Sequence, residues 1–385
     1  MAAVPNRTVG CCSPFRAAHI MQPEHTSSTV RISVVTLAGR ELASMAADRT
    51  WTKRDVMHRI SGLAGRSFRA ARLLHGESEL VEETQLNMLD VEDGACLHLV
   101  IDSSGGLELL TASDDNTAKL WNAHSGACLR TLSGHCSLVM SASFSPDAKL
   151  VLTASADGTA KLWSAESGEC FRTLAEHRDS VLFAEFSPGG SAVSTASRDR
   201  TAKLWRTQSG ECFRTLEGHI DWVRSAVVSP DGASVLTASD DGTAKLWSSE
   251  SGICLRTLEG HRNLVVCAAF SPSGDLVLTA SGDRTAGIWK AQSGVCLRML
   301  EGHRDPVWSA TFSPDGAVVL TASGDRTAKL WSAASGECFR TLEGHHRGLW
   351  SAVFSQDGAL VLTASGDRTA KVWRVETGTC VRTFE

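Results

Sequence analysis

The chain of 385 residues is 42% hydrophobic and 21% charged and carries a net charge of −5. That balance fits an ordinary globular protein and speaks against a globally basic nucleic-acid binder. No apolar run approaches the roughly 18 residues of a membrane-spanning helix, so no membrane partner is expected. Twelve cysteines invite a disulfide reading that their spacing removes. Cys128, Cys170, Cys212, Cys254, Cys296, Cys338 and Cys380 recur at one position of a repeat, and equivalent sulfurs in separate repeats stand beyond the ~7 Å Cα limit of a disulfide. They are expected to be small buried thiols in a reducing compartment, cytoplasmic with the nucleus as the alternative. No CxxC pair has zinc spacing, and neither metal nor cofactor is expected.

Residues 1–29 show neither strand alternation nor a helical stripe, and they lack the apolar core of a secretory signal. A disordered leader is expected there. The absence of acids before Glu24, with Arg7 and Arg16, leaves an organelle transit peptide as the alternative. From Val30 the pattern changes. VRISVVTLAGREL predicts a strand, a tight turn at Ala38-Gly39 and a second strand. DVMHRISGLAG places Val56, Ile60 and Leu63 on one helical stripe ending at Gly65. ARLLHGESEL and ACLHLVI supply further strands. This order, with TLAGR and LHLV as local matches, resembles the ubiquitin-like β-grasp family. The resemblance implies a small α+β domain over 30–101 that docks ubiquitin-system receptors through an apolar patch. The aligned positions are Leu37, Leu74 and Val100, flanked by His98; packing of these residues against the rest of the chain is the alternative. Lys53 is the only lysine of the segment, and Asp102-Ser103-Ser104 precedes Gly105-Gly106. Both features fit a fused domain better than a conjugated modifier.

After a short linker at 102–106, residues 107–385 are an array. Trp121, Trp163, Trp205, Trp247, Trp289, Trp331 and Trp373 follow one another at intervals of 42 residues without insertion or deletion. One unit, Gly218 to Leu258, alternates apolar residues in VRSAVV, SVLTAS, TAKLW and ICLRTL, which predicts four short strands. Ser-Pro-Asp-Gly, Asp-Asp-Gly and Ser-Glu-Ser-Gly supply the turns between them. Such a unit cannot cover its own sheet and must stack on neighbours. These units resemble the WD-repeat β-propeller family, which implies a mainly β, seven-bladed ring. The family's hydrogen-bonded tetrad maps onto His135, Ser155, Asp157 and Trp163, onto His219, Ser239, Asp241 and Trp247, and onto the matching residues of four further units. The residue after each Trp is never Asp, so the Trp-Asp-x-Arg docking signature for cullin-type ligase adaptors is missing.

The first unit is irregular. Leu97 lies 42 residues before Val139, so LHLVIDS competes for two roles, a strand of the small domain and the inner strand of the first blade. Asp102 stands where later units carry Phe, and Asp93 where they carry His. We therefore expect 97–101 in the small domain, a first blade of three strands, and the weakest ring closure between first and last blades. A complete seventh blade that takes the strand is the alternative.

The loops before the first strand and between the second and third strands are expected on one face. Arg198, Arg200, Arg224, Arg284, Arg326 and Arg368 collect there, with Trp222, Trp308 and Trp350 near the start of their inner strands. Forked guanidinium groups suit an acidic or phosphorylated peptide, and Arg and Trp are enriched at binding hot spots. A solvated rim inherited by copying the GDRT turn is the bland reading. Repetition also argues against a hydrolase built from His, Ser and Asp, because one active site does not need six copies. The expected function is a non-enzymatic scaffold for protein partners. An enzyme hidden in the channel and a nucleic-acid binder are the alternatives.

Overall fold

The computed structural model describes residues 33–35, 41–44, 71–75, 78–79, 97–101, 108–122 and 127–384, with those before 109 described by their backbone alone. The leader at 1–29, the predicted helix over 55–65 and the linker at 102–106 lie outside the described residues. In the N-terminal region Ser33–Val35 pairs antiparallel with Glu41–Ser44. Ala71–His75 forms the centre of a second sheet, between Ser78–Glu79 and Leu97–Ile101.

The array builds a seven-bladed β-propeller. Its first sheet has three strands, Glu108–Ala112, Thr117–Asn122 and Cys128–Ser133. Each of the next six has four antiparallel strands in chain order, as in Val223–Val228, Ser234–Ser239, Ala244–Ser248 and Cys254–Leu258 of the fourth blade. The Ser-Pro-Asp-Gly turn closes as its composition demands: Gly232 sits at φ 75°, left-handed backbone that glycine adopts without a Cβ clash. Inner strands share a feature invisible in the sequence. In the fourth blade the pairing register shifts between Val223 and Ser225, so Arg224 is a bulge residue. The same shift falls at Trp308 and Trp350. A bulge re-aims the side chain it carries.

The alternating apolar residues bury between blades. Trp205 packs with Leu152, Ala154, Ala160, Leu162 and Leu174 of the preceding blade, and Trp163 with Leu110, Ala118, Leu120 and Leu132 of the first sheet. Each such side chain removed from water contributes about 1.5–3 kcal/mol. A second device joins the outer rims. Arg130 Nε and Nη2 donate to the Glu166 carbonyl at 3.1 and 3.0 Å. Arg172 reaches Gln208, Arg214 reaches Glu250 and Arg256 reaches Gln292 in the same way, each into the following blade.

The repeated cysteines are not buried, contrary to expectation. Six of the seven are exposed and Cys212 is half-buried. They open the outermost strand, where no further strand covers them. From Cys170 onward each of these thiols donates to a nearby carbonyl, as Cys254 does to Arg256 at 3.4 Å.

Candidate functional site

At one end of each four-stranded blade a loop histidine meets the tight turn between the second and third strands. His135 Nδ1 lies 2.8 Å from Asp157 Oδ2, and its Nε2 2.7 Å from Thr153 Oγ1. The Trp163 indole donates to the same hydroxyl at 2.8 Å. The network therefore runs from Trp163 through Thr153 and His135 to Asp157, with the Nδ1–H tautomer of the histidine closing it. In the fourth blade Trp247, Thr237, His219 and Asp241 repeat it.

This corrects the assignment of Ser155 and Ser239. Ser155 accepts from the Asp157 backbone and donates to the Ser137 carbonyl, so it shapes the turn. Ser239 does the same between Asp241 and Asp221. Strand register explains the difference. Trp163 stands opposite Val151, which makes Thr153 its diagonal neighbour, within reach of an aromatic ring. The serine two residues on is at the strand end. Burial pushes the Asp157 carboxyl up, but hydrogen bonds from Thr159, Cys136 and His135 outweigh it and bring the pKa down to about 2. Burial lowers the His135 and His219 imidazoles in spite of their aspartate partners. Neutral, buried and saturated with hydrogen bonds, these groups are built to hold loop, turn and strand together.

The same contacts put the loop and the turn on one face. The Arg178 backbone N–H donates to Asp199 Oδ2 at 3.0 Å, tying the residue after the histidine to the turn. Arg200, Arg284, Arg326 and Arg368 occupy that turn at φ 70°, 75°, 73° and 71°, where the second and fourth blades have Gly158 and Gly242. Arginine in left-handed backbone is uncommon and unfavourable. All four are exposed. No intramolecular acceptor explains their position, because their side chains make no hydrogen bond or ion pair among the described residues.

The aromatic residues separate into two groups. Trp308 and Trp350, bulge residues of adjacent blades, lie with ring centroids 5.9 Å apart. Glycines make room for them: a methyl at Gly324 would come within 3.3 Å of Trp308 Nε1, and one at Gly366 within 3.2 Å of Trp350 Nε1. Trp222 has two arginines at its ring, with the Arg198 guanidinium 4.3 Å and that of Arg224 5.1 Å from the centroid. Arg224 is further held by Asp240 through two bonds of 2.7 and 2.6 Å. It is therefore partly committed within the molecule, which sequence reading did not anticipate. Ile220, two residues before Trp222 and 80% exposed, was also missed. Its signal was legible, since arginine follows the loop histidine at Arg178, Arg262 and Arg304.

Of the N-terminal positions, Leu37 lies outside the described residues. Leu74 pairs in register with His98, and Arg72 with Val100.

Seven stretches match the family model for the WD domain, G-beta repeat: 85–122, 126–164, 168–206, 210–248, 252–290, 294–332 and 336–374. The first includes Leu97–Ile101, the strand that pairs with Ala71–His75. The chain is also similar to the nuclear distribution protein PAC1 of Arthroderma benhamiae and to that of Trichophyton verrucosum. Each is 47% identical over 49 residues, 13% of this chain and 10% of that protein's length. The match thus spans about a tenth of those relatives.

Proposed function

Because the chain belongs to the WD domain, G-beta repeat family, whose propellers generally serve as protein-interaction scaffolds, we propose that its loop face holds a peptide segment of a protein partner. The observation that carries this reading is the set of four exposed arginines in left-handed backbone. Backbone strain of this kind persists where a role opposes relaxation to glycine, and two blades have relaxed to Gly158 and Gly242. Unpaired guanidinium groups, with Trp222, Trp308 and Trp350 half-buried among them, suit an acidic or phosphorylated segment.

The N-terminal segment is, in the same proposal, a ubiquitin-like docking module. It would present Leu74, His98 and Val100, with Leu37, to receptors of the ubiquitin system. Support comes from the antiparallel register of Leu74 with His98 and from the β-grasp resemblance. Exposed thiols on successive outer strands favour a reducing home such as the cytoplasm, since an oxidising one would cross-link them between copies.

Quantitative affinity capture with three full-length proteins tests both halves. The wild type is compared with Leu74→Ala and with the combined Arg-to-Gly variant at positions 200, 284, 326 and 368. The first substitution is expected to remove ubiquitin-system proteins alone, the second to remove the cargo alone. Identical partner sets for all three proteins would defeat the proposal. A cargo that is nucleic acid, released steeply by salt, would replace it.

A further inference from the structure

One arginine on the loop face differs from the rest. Its position reads Ala156, Arg198, Asp240, Gly282, Gly324 and Gly366 along the blades, so a guanidinium occurs there once. Arg198 does not wave in solvent as the turn arginines do. It lies 4.3 Å from the Trp222 ring centroid, a cation–π contact that restrains it, and its Nε is buried without a hydrogen-bond partner. Arg224, the other arginine near this ring, has the Asp240 carboxylate at 2.6 Å. Asp240 thus engages Arg224, while Arg198 has no ion-pair partner among the described residues. A second buried orphan, Ser225 Oγ, follows Arg224 in the same strand.

We propose that Arg198, at cation–π distance from Trp222, anchors one carboxylate of the bound segment, an Asp or Glu side chain with an apolar neighbour seated against Ile220. The proposal rests on the reading of the loop face as a peptide-binding surface and narrows it. A planar fork presents paired N–H donors that match a carboxylate in two-point geometry. A monoanion matches a single unpaired guanidinium, whereas a phosphoryl group brings −1.5 to −2. Immobilising the guanidinium beforehand reduces the ordering cost of binding. Ile220, 80% exposed, replaces at this one blade the cationic or polar residue seen at Cys136, Arg178, Arg262, Arg304 and His346, which gives the site an apolar shoulder beside its charge.

Three synthetic nine-residue libraries, with glutamate, phosphoserine or serine fixed at the centre and the other positions randomised, test this on the full-length protein. The wild type is expected to retain the glutamate library over the serine one and to select aliphatic residues next to the centre. Arg198→Ala, the residue of the second blade at this position, is expected to lower that retention about ten-fold or more, the range of a hot spot. Arg198→Lys, which keeps the charge and loses the fork, recovers only a minor part. Arg374→Ala, at the exposed end of the strand Ala370–Arg374 that points away from the loops, stays within about two-fold of wild type, as expected of a residue outside the binding face. If Arg284→Ala abolishes retention and Arg198→Ala does not, Arg198 is not the anchor, although the loop face still binds acidic peptides. Selection of phosphoserine alone overturns the carboxylate assignment. Failure of all three libraries overturns this proposal together with the peptide-binding reading.

Discussion

The second to sixth blades and the seventh have nearly the same sequence and different burial. Leu152, Leu236, Leu278 and Leu320 are all 0% exposed, as are the alanines two residues on. Their counterparts Leu362 and Ala364 are half-buried. The outer-strand residue Leu174, Leu216, Leu258, Leu300 or Leu342 is at most 2% exposed, and its counterpart Phe384 is 42% exposed. At the other end of the array Trp121 is half-buried, where Trp163, Trp205, Trp247, Trp289 and Trp331 are fully enclosed. The rim arginine makes the same point. Arg130, Arg172, Arg214, Arg256 and Arg298 each hold a carbonyl 36 residues ahead. The Arg382 guanidinium instead lies 4.7 Å from the Phe384 ring. A repeat's stability is therefore a property of its following neighbour as much as of its own residues.

Acid is expected to have the largest effect and to treat both regions alike, because the seventh blade keeps its tetrad. The imidazoles of His135, His219 and His345 are lowered from 6.5, burial being the leading cause. The unfolded chain therefore binds protons first, and the stability present above about pH 6.5 is lost as pH falls below it. Asp157 and Asp283, at about 2 against 3.8, add a second loss as pH falls from about 4 towards 2. Denaturant midpoints measured from pH 8 to 3 check this; a midpoint independent of pH between 7 and 4 contradicts it.

Core truncation separates the two regions most sharply. Leu236→Ala is expected to cost about 2–5 kcal/mol, and Leu362→Ala less than half as much, by equilibrium unfolding followed through tryptophan fluorescence. Equal losses would mean that the seventh sheet is sealed in solution. Next in size is the tetrad hydroxyl. Thr237→Val strands an indole N–H and a histidine nitrogen and costs about 1–3 kcal/mol, whereas Ser239→Ala, which removes a turn contact, costs about 1 kcal/mol or less. The opposite order would restore serine to the tetrad. The smallest effect is at the rim: Arg256→Ala is expected to lose about 0.5–1.5 kcal/mol and Arg382→Ala nothing measurable, by the same unfolding assay.

Much of this was legible beforehand because copying makes a pattern redundant. The spacing of the tryptophans, the alternation in SVLTAS and the glycine of each turn specify strands and blades several times over. The arginine-rich face followed from the offsets of the His loop and the Asp turn. What misled was position within a sheet. Cys254 and Leu258 both lie in a short apolar strand, yet the cysteine is exposed and the leucine 1% exposed. Sequence alternation names two faces without saying which one a neighbour covers. The bulges at Arg224, Trp308 and Trp350 leave no mark on composition either, since the extra residue appears only when a strand is paired.

The sequence by itself determined the number of repeats, their four-strand pattern, the His, Asp and Trp of each tetrad and the collection of arginines on one face. These depend on local spacing and backbone chemistry, which a short window of residues contains. Tertiary structure alone decided that threonine completes the tetrad, that Arg198 and Arg224 both meet Trp222 while Asp240 pairs with only one of them, and that the seventh sheet keeps an exposed face. Those outcomes depend on cross-strand register and on which blade lies next, and both exist only once distant residues have been brought together.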